Sequence, residues 1–127
     1  MKKKPTALII EDEYIISLYF KQILEKEGFN TLIENTGIGA LKKVNNNNPE
    51  LILIDIGLKG ELDGIKTALI IKANNNSPII FITANPEKLD VNNYKKKINP
   101  YSVFAKPIIE ASLINTINEL KKSILID

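Results

Sequence analysis

Five short apolar runs, at residues 7–10, 31–34, 51–54, 79–83 and 101–105, alternate with stretches whose apolar residues recur at helical spacing. This alternation limits the chain to few folds. Short strands with apolar neighbours on both sides must be buried on both faces, and parallel strands need crossover helices to cover them. The expected architecture is α/β: a doubly wound, five-stranded parallel sheet of order 2-1-3-4-5 with helices on both faces and right-handed crossovers. The helical stretches carry their own signatures. In residues 13–27, Ile16, Phe20, Ile23 and Leu24 fall at i, i+4, i+7 and i+8, and Gly28 follows as a stop. Residues 37–46 place Ala40, Leu41 and Val44 on one face, and residues 64–74 do the same with Ile65, Ala68 and Leu69. Residues 87–97 are expected to form a helix on Leu89, Val91, Tyr94 and the adjoining Ile98. Residues 108–124 show a clear stripe of Leu113, Ile117, Leu120 and Ile124. Asparagine and proline mark the turns before the buried strands, as in Asn45-Asn46-Asn47-Asn48-Pro49 and Asn99-Pro100.

Length and composition narrow the function. The 127 residues, 44% hydrophobic, suit one domain spanning 1–127 with a single core. Net charge is +2, from 17 basic and 15 acidic side chains, too even to imply a nucleic-acid partner. Lys2-Lys3-Lys4 and Lys95-Lys96-Lys97 are expected to be solvated. With no cysteine and no histidine, thiolate chemistry and a Ser-His-Asp triad are excluded. No apolar stretch approaches the roughly 18 residues of a membrane span. Glu11-Asp12-Glu13 follows the first strand too closely for a signal peptide, so a cytoplasmic location is expected.

Chemistry enters at the ends of the strands. Leu51-Ile52-Leu53-Ile54 stops at Asp55, and Ala7-Leu8-Ile9-Ile10 stops at Glu11-Asp12. In a 2-1-3-4-5 sheet the third strand is central, flanked by the first and fourth, so these carboxylates should meet Thr83 and Lys106 along one carboxyl edge. At about 4 Å and an effective dielectric near 20, each pair of like charges costs roughly 4 kcal/mol. Lys106 can offset part of that repulsion. A hard divalent cation such as Mg²⁺ can offset more, because every candidate ligand is oxygen. A carboxylate beside such an ion can itself act as a nucleophile toward phosphorus. Asp55, on the central strand, is best placed for that role. Asp12 and Glu11 would then hold the metal directly or through water, while Lys106 and Thr83 served phosphoryl oxygens.

At this point the residues resemble the receiver domain of two-component response regulators. The likeness runs from Ala7 to Leu120. It rests on Ile9-Ile10-Glu11-Asp12-Glu13, Leu53-Ile54-Asp55-Ile56, Asp63-Gly64, Phe81-Ile82-Thr83-Ala84 and Ala105-Lys106-Pro107. The resemblance implies a flavodoxin-like fold and an aspartyl phosphate at Asp55, taken from the phosphohistidine of a histidine kinase or a phosphotransfer protein. It implies Mg²⁺ or Mn²⁺ on Asp12 and Asp55, with Glu11 acting through water and the Gly57 carbonyl completing the protein ligands. Thr83 would move toward the phosphate and Lys106 would pair with it, with a cis Lys106-Pro107 bond. A downstream protein partner or a second copy would read the change on the face of residues 87–124, with no direct contact to nucleic acid or membrane.

Three features depart from the family pattern. The usual aromatic switch residue, three positions before the lysine, is Val103, flanked by Tyr101 and Phe104. Glu11 stands where aspartate is frequent. The loop from Gly57 to Gly64 reads about one residue longer than the commonest version. The alternative is a constitutive binding module that is never phosphorylated, and the complete acidic set with Lys106 argues against it. A dehalogenase-like phosphatase would place a second aspartate where Gly57 stands. A nucleotide-binding domain would place a glycine-rich loop where Glu13-Tyr14 stands.

Overall fold

The computed structural model describes residues 4–125. Five strands, β1 (Thr6–Ile10), β2 (Asn30–Glu34), β3 (Leu51–Asp55), β4 (Ile79–Thr83) and β5 (Ser102–Ala105), form one parallel sheet of order β2-β1-β3-β4-β5. Helices α1 (Tyr14–Lys26), α2 (Gly37–Asn47), α3 (Gly64–Asn74), α4 (Tyr94–Ile98) and α5 (Glu110–Leu125) connect or follow them. The expected architecture and strand order are those observed.

The period-two geometry of a strand explains how one sheet fills two cores. Ala7, Ile9, Leu51, Leu53, Ile80 and Ile82 point to one face. There they pack under Phe20, Ile23 and Leu24 of α1 and Leu113, Ile117 and Leu120 of α5. The intervening Leu8, Ile10, Ile52, Ile54, Ile79 and Phe81 point to the other face, beneath Ala40 and Val44 of α2 and Ile65, Ala68 and Ile71 of α3. The three central strands are therefore enclosed on both sides. Each fully buried leucine, isoleucine or phenylalanine contributes roughly 1.5–3 kcal/mol.

The region expected to be one helix over 87–97 is not one. Pro86–Asp90 forms a single 3-10 segment, and the helix α4 that follows has five residues, beginning only at Tyr94. Asn92 and Asn93 both adopt left-handed backbone conformations, with φ of 53° and 58°. Two consecutive left-handed residues cannot continue a right-handed helix, and asparagine tolerates them better than most side chains. Asn99, at φ 50°, ends α4 the same way. Leu89 and Ile98 still reach the core, but Val91 is left exposed. Lys4 and Lys95–Lys97 are exposed, as expected of solvated lysines, while Lys2 and Lys3 lie outside the described residues.

Candidate phosphoacceptor site

Strand register brings the carboxylates together. Ile10 pairs with Ile54, so the next residues along, Glu11 and Asp55, emerge side by side at the carboxyl edge. Asp55 is opposite Ile82, and Thr83 is opposite Ala105, which places Thr83 and Lys106 on the other flank of Asp55. Glu11, Asp12 and Asp55 each offer a carboxylate oxygen within 4.8 Å of the others. The Lys106 ammonium lies 3.4 Å from Asp55 Oδ2 and 3.9 Å from Glu11 Oε1. Of the sequence-predicted residues, Glu11, Asp12, Asp55 and Lys106 thus form one cluster.

The two oxygens of Asp55 are held differently. The Gly57 amide donates to Oδ1 at 2.9 Å, which folds the chain back over the end of β3, while Lys106 donates to Oδ2. Thr83 is buried, and its hydroxyl oxygen accepts the Asn85 amide at 3.0 Å. That bond leaves the hydroxyl proton free for another acceptor. The Lys106-Pro107 bond is cis, as the resemblance implied.

Glu11 carries the main electrostatic tension. Only 2% of it is exposed. Its Oε2 accepts the Glu13 amide at 3.1 Å, but its Oε1 is buried with no hydrogen-bond partner. Burial pushes its carboxyl up to about 7, and the Asp55 charge and the Asp12 contact add to that rise. The Glu13 amide and the Lys106 charge oppose it. One lysine is therefore too little positive charge for three carboxylates. A buried glutamate with one orphaned oxygen, in a group of three carboxylates that each offer an oxygen within 4.8 Å of the others, is a donor set that fits a hard divalent cation.

Gly64, in the Asp63-Gly64 pair, has a structural role that sequence spacing does not reveal. Asp63 caps α3 by accepting the Lys66 amide at 2.8 Å, and α3 then starts directly against the end of β3. A Cβ on Gly64 would lie 2.7 Å from Ile56 Cα and would collide with the Asp55 carbonyl oxygen. The glycine permits the close approach that seats the Asp55 backbone under α3.

A doubly wound sheet with three acids and a lysine on the carboxyl edge of its central strands defines the class: an α/β domain with a polar site at its switch point. The family is narrower. Residues 7–118 match the model of the response regulator receiver domain, and the chain belongs to that family, whose function is to accept a phosphoryl group in two-component signalling. The chain is 34% identical over 101 residues to sporulation initiation phosphotransferase F of Bacillus subtilis, covering 79% of this chain and 80% of that protein. It is 31% identical over 84 residues to the DNA-binding response regulator MtrA of Mycobacterium tuberculosis, covering 66% of this chain but 36% of the longer protein. Among solved structures it is similar to the Francisella response regulator 1452 receiver domain. That match has a TM-score of 0.82 and 30% identity, and covers 94% of this chain and 98% of that one. It is also similar to the signal receiver domain of a modulated diguanylate cyclase from Desulfovibrio desulfuricans, with a TM-score of 0.81 and 31% identity over 95% of this chain and 96% of that one.

Proposed function

We propose that this chain is a single receiver unit over residues 1–127 in which Asp55 is the phosphoacceptor. The observation that carries the reading is the Asp55 carboxylate at the end of the central strand, held by Gly57 and Lys106 and flanked by Glu11 and Asp12. In the transfer, a carboxylate oxygen of Asp55 bonds to the phosphorus of a phosphohistidine on a histidine kinase or phosphotransfer protein. The P–N bond breaks and the donor imidazole leaves with its electron pair, forming an aspartyl phosphate. Water later cleaves that acyl phosphate and regenerates the carboxylate. The chain is thus a transient acceptor, not a turnover enzyme on an external substrate.

Glu11, Asp12, Asp55 and the Gly57 carbonyl would hold Mg²⁺ or Mn²⁺. When bound, the ion supplies positive charge that offsets the carboxylates and the incoming phosphoryl oxygens. The remaining tasks belong to the chain's own groups. Lys106, already 3.4 Å from Asp55, neutralises a phosphoryl oxygen. Thr83 gives its free hydroxyl proton to another. Acquired charge at Asp55 then shifts Thr83, Lys106 and the face of residues 87–124, which a downstream protein or a second copy of the chain reads. Among the described residues, no helix is long and apolar enough to cross a membrane, and we place the domain in the cytoplasm.

The test is incubation with acetyl phosphate, with and without Mg²⁺, followed by intact mass. Wild type should gain one phosphoryl group only with the metal present, and Asp55→Asn should gain none. A wild type that stays unmodified, or an Asp55→Asn protein modified to the same extent, overturns the assignment.

A further inference from the structure

Strand β2 forms one edge of the sheet, and among the described residues no strand pairs with its outer side. It lies parallel to β1 in unbroken register, from Thr6 opposite Asn30 to Ile10 opposite Glu34. The Asn30 amide donates to the Pro5 carbonyl at 2.8 Å, and the Glu34 carbonyl accepts the Glu11 amide at 3.0 Å. Backbone polar groups alternate in direction along a strand, so Asn30, Leu32 and Glu34 turn theirs toward β1. Thr31 and Ile33 therefore turn their N–H and C=O groups outward. Open sheets commonly protect such an edge with lysine, proline or a bulge. The sequence Asn30-Thr31-Leu32-Ile33-Glu34 has neither residue, and its register has no bulge. Leu32 and Ile33 are only half-buried, one on each face of the sheet.

A second β2 related by a two-fold axis meets this edge antiparallel. Outward-facing residues must then oppose one another as hydrogen-bonded pairs, which restricts the register. With the axis through Leu32, Thr31 of each copy opposes Ile33 of the other, and every outward N–H and C=O of both strands is bonded. An axis through Thr31 or Ile33 would leave the other outward residue opposite a position beyond the end of the strand. The Leu32 register also matches the side chains. Leu32 meets Leu32, and Asn30 meets Glu34 twice, a carboxamide donor against a carboxylate acceptor. Glu34 is half-buried with the Lys43 ammonium 4.0 Å away, and its oxygens keep acceptor capacity for a further donor. No like charges oppose each other in this register.

We propose that β2 pairs with β2 of a second copy of the chain about a two-fold axis at Leu32, joining the two sheets into one continuous sheet. The self-complementary register is what selects a second copy as the occupant of this edge. The contact is one strand wide, so the dimer is weak and exchanges with monomer. The carboxyl ends of the two sheets point in opposite directions, which leaves each Asp55 open at its own edge. The association is therefore independent of the phosphoacceptor chemistry and of the face of residues 87–124.

The test is sedimentation of the full, unphosphorylated chain over a series from micromolar to millimolar concentration, with amide hydrogen exchange measured at both ends of the series. A dimer is expected to form as concentration rises. The Thr31 and Ile33 amides should become protected, while those of Asn30, Leu32 and Glu34, already turned to β1, should change little. Asn30 is exposed, so its variants keep the fold. Asn30→Glu sets two pairs of carboxylates against each other across the axis and should weaken the dimer about tenfold. Asn30→Lys creates two pairs of opposite charge and should tighten it about fivefold. Both effects should shrink in high salt. A chain that stays monomeric at millimolar concentration, protection centred on α1 or on residues 87–124, or a dimer indifferent to the sign of the charge at position 30 overturns the proposal.

Discussion

The two flanks of the central strand β3 are built to different tolerances. On the β1 side, buried strands run in register to Glu11 and Asp55, and Gly64 lets α3 close over the strand end with no spare space. On the β5 side, β5 has four residues that are half-buried or exposed, and the segment before it passes through a 3-10 turn, two left-handed asparagines and a five-residue helix. The acceptor half is enclosed by continuous buried strands, whereas the segment leading from β4 to β5 is made of short, interrupted elements. This difference suits a switch, because segments that move are drawn from the weakly held end of a structure.

The largest expected break in that contrast comes from Gly64→Ala. The added Cβ meets backbone atoms of Asp55 and Ile56, which cannot yield as a side chain could, so a loss of about 3 kcal/mol is expected. Gly60→Ala, at φ 111° but with open space around it, should cost only about 1 kcal/mol. Urea unfolding of the two variants measures both, and equal losses would mean that the acceptor flank is no tighter than its own loop.

Glu11 sharpens the same contrast through pH. Its carboxyl stands at about 7 in the fold against 4.5 as the ordinary value, so between these limits the folded state holds the proton more tightly than the unfolded chain. The favourable contribution is full below about 4.5 and is lost as pH rises through 7. The shift sets a ceiling of about 3 kcal/mol on the loss. Metal-free wild type should therefore lose stability between about pH 5 and 8 relative to Glu11→Gln, and saturating Mg²⁺ should remove the difference. A parallel pH response of the two proteins without metal would contradict the tension described at Glu11.

Lys106→Ala should lower metal-free stability by about 1 kcal/mol, discounted for its partial exposure, and Mg²⁺ should recover most of that loss. Across the sheet, Asn93→Gly should change stability by no more than about 0.5 kcal/mol, since glycine enters the left-handed region freely. A loss above 1 kcal/mol there would show that the reporting flank is as tightly specified as the acceptor flank.

The difference between the flanks also governed what the sequence revealed. Apolar runs ending in Glu11-Asp12 and Asp55 were legible because strand alternation and strand ends are local patterns that sheet order converts directly into proximity. The break in the fourth helix is masked by apolar spacing, although Asn92-Asn93 is itself a turn signal. Leu89, Tyr94 and Ile98 all face the core across the interruption, so their spacing imitates one helix. Gly64 was recognised only as part of a motif, because the close approach it allows joins backbone segments that sequence spacing does not measure. The orphaned Oε1 of Glu11 was equally invisible, since burial of one oxygen rather than the other depends on the Glu13 amide. Val103 remains the departure with the clearest consequence. It is half-buried against the α3–α4 core and pairs with Phe81, with no ring of its own to move.

The central claim is chemical: a phosphoryl group on the Asp55 carboxylate. Borohydride reduces an aspartyl phosphate to homoserine, so protein treated with acetyl phosphate and Mg²⁺, then reduced and digested, should contain homoserine at position 55, with Glu11 and Asp12 unchanged. Homoserine at Asp12, or aspartate at position 55 in protein whose intact mass shows phosphorylation, would contradict the account.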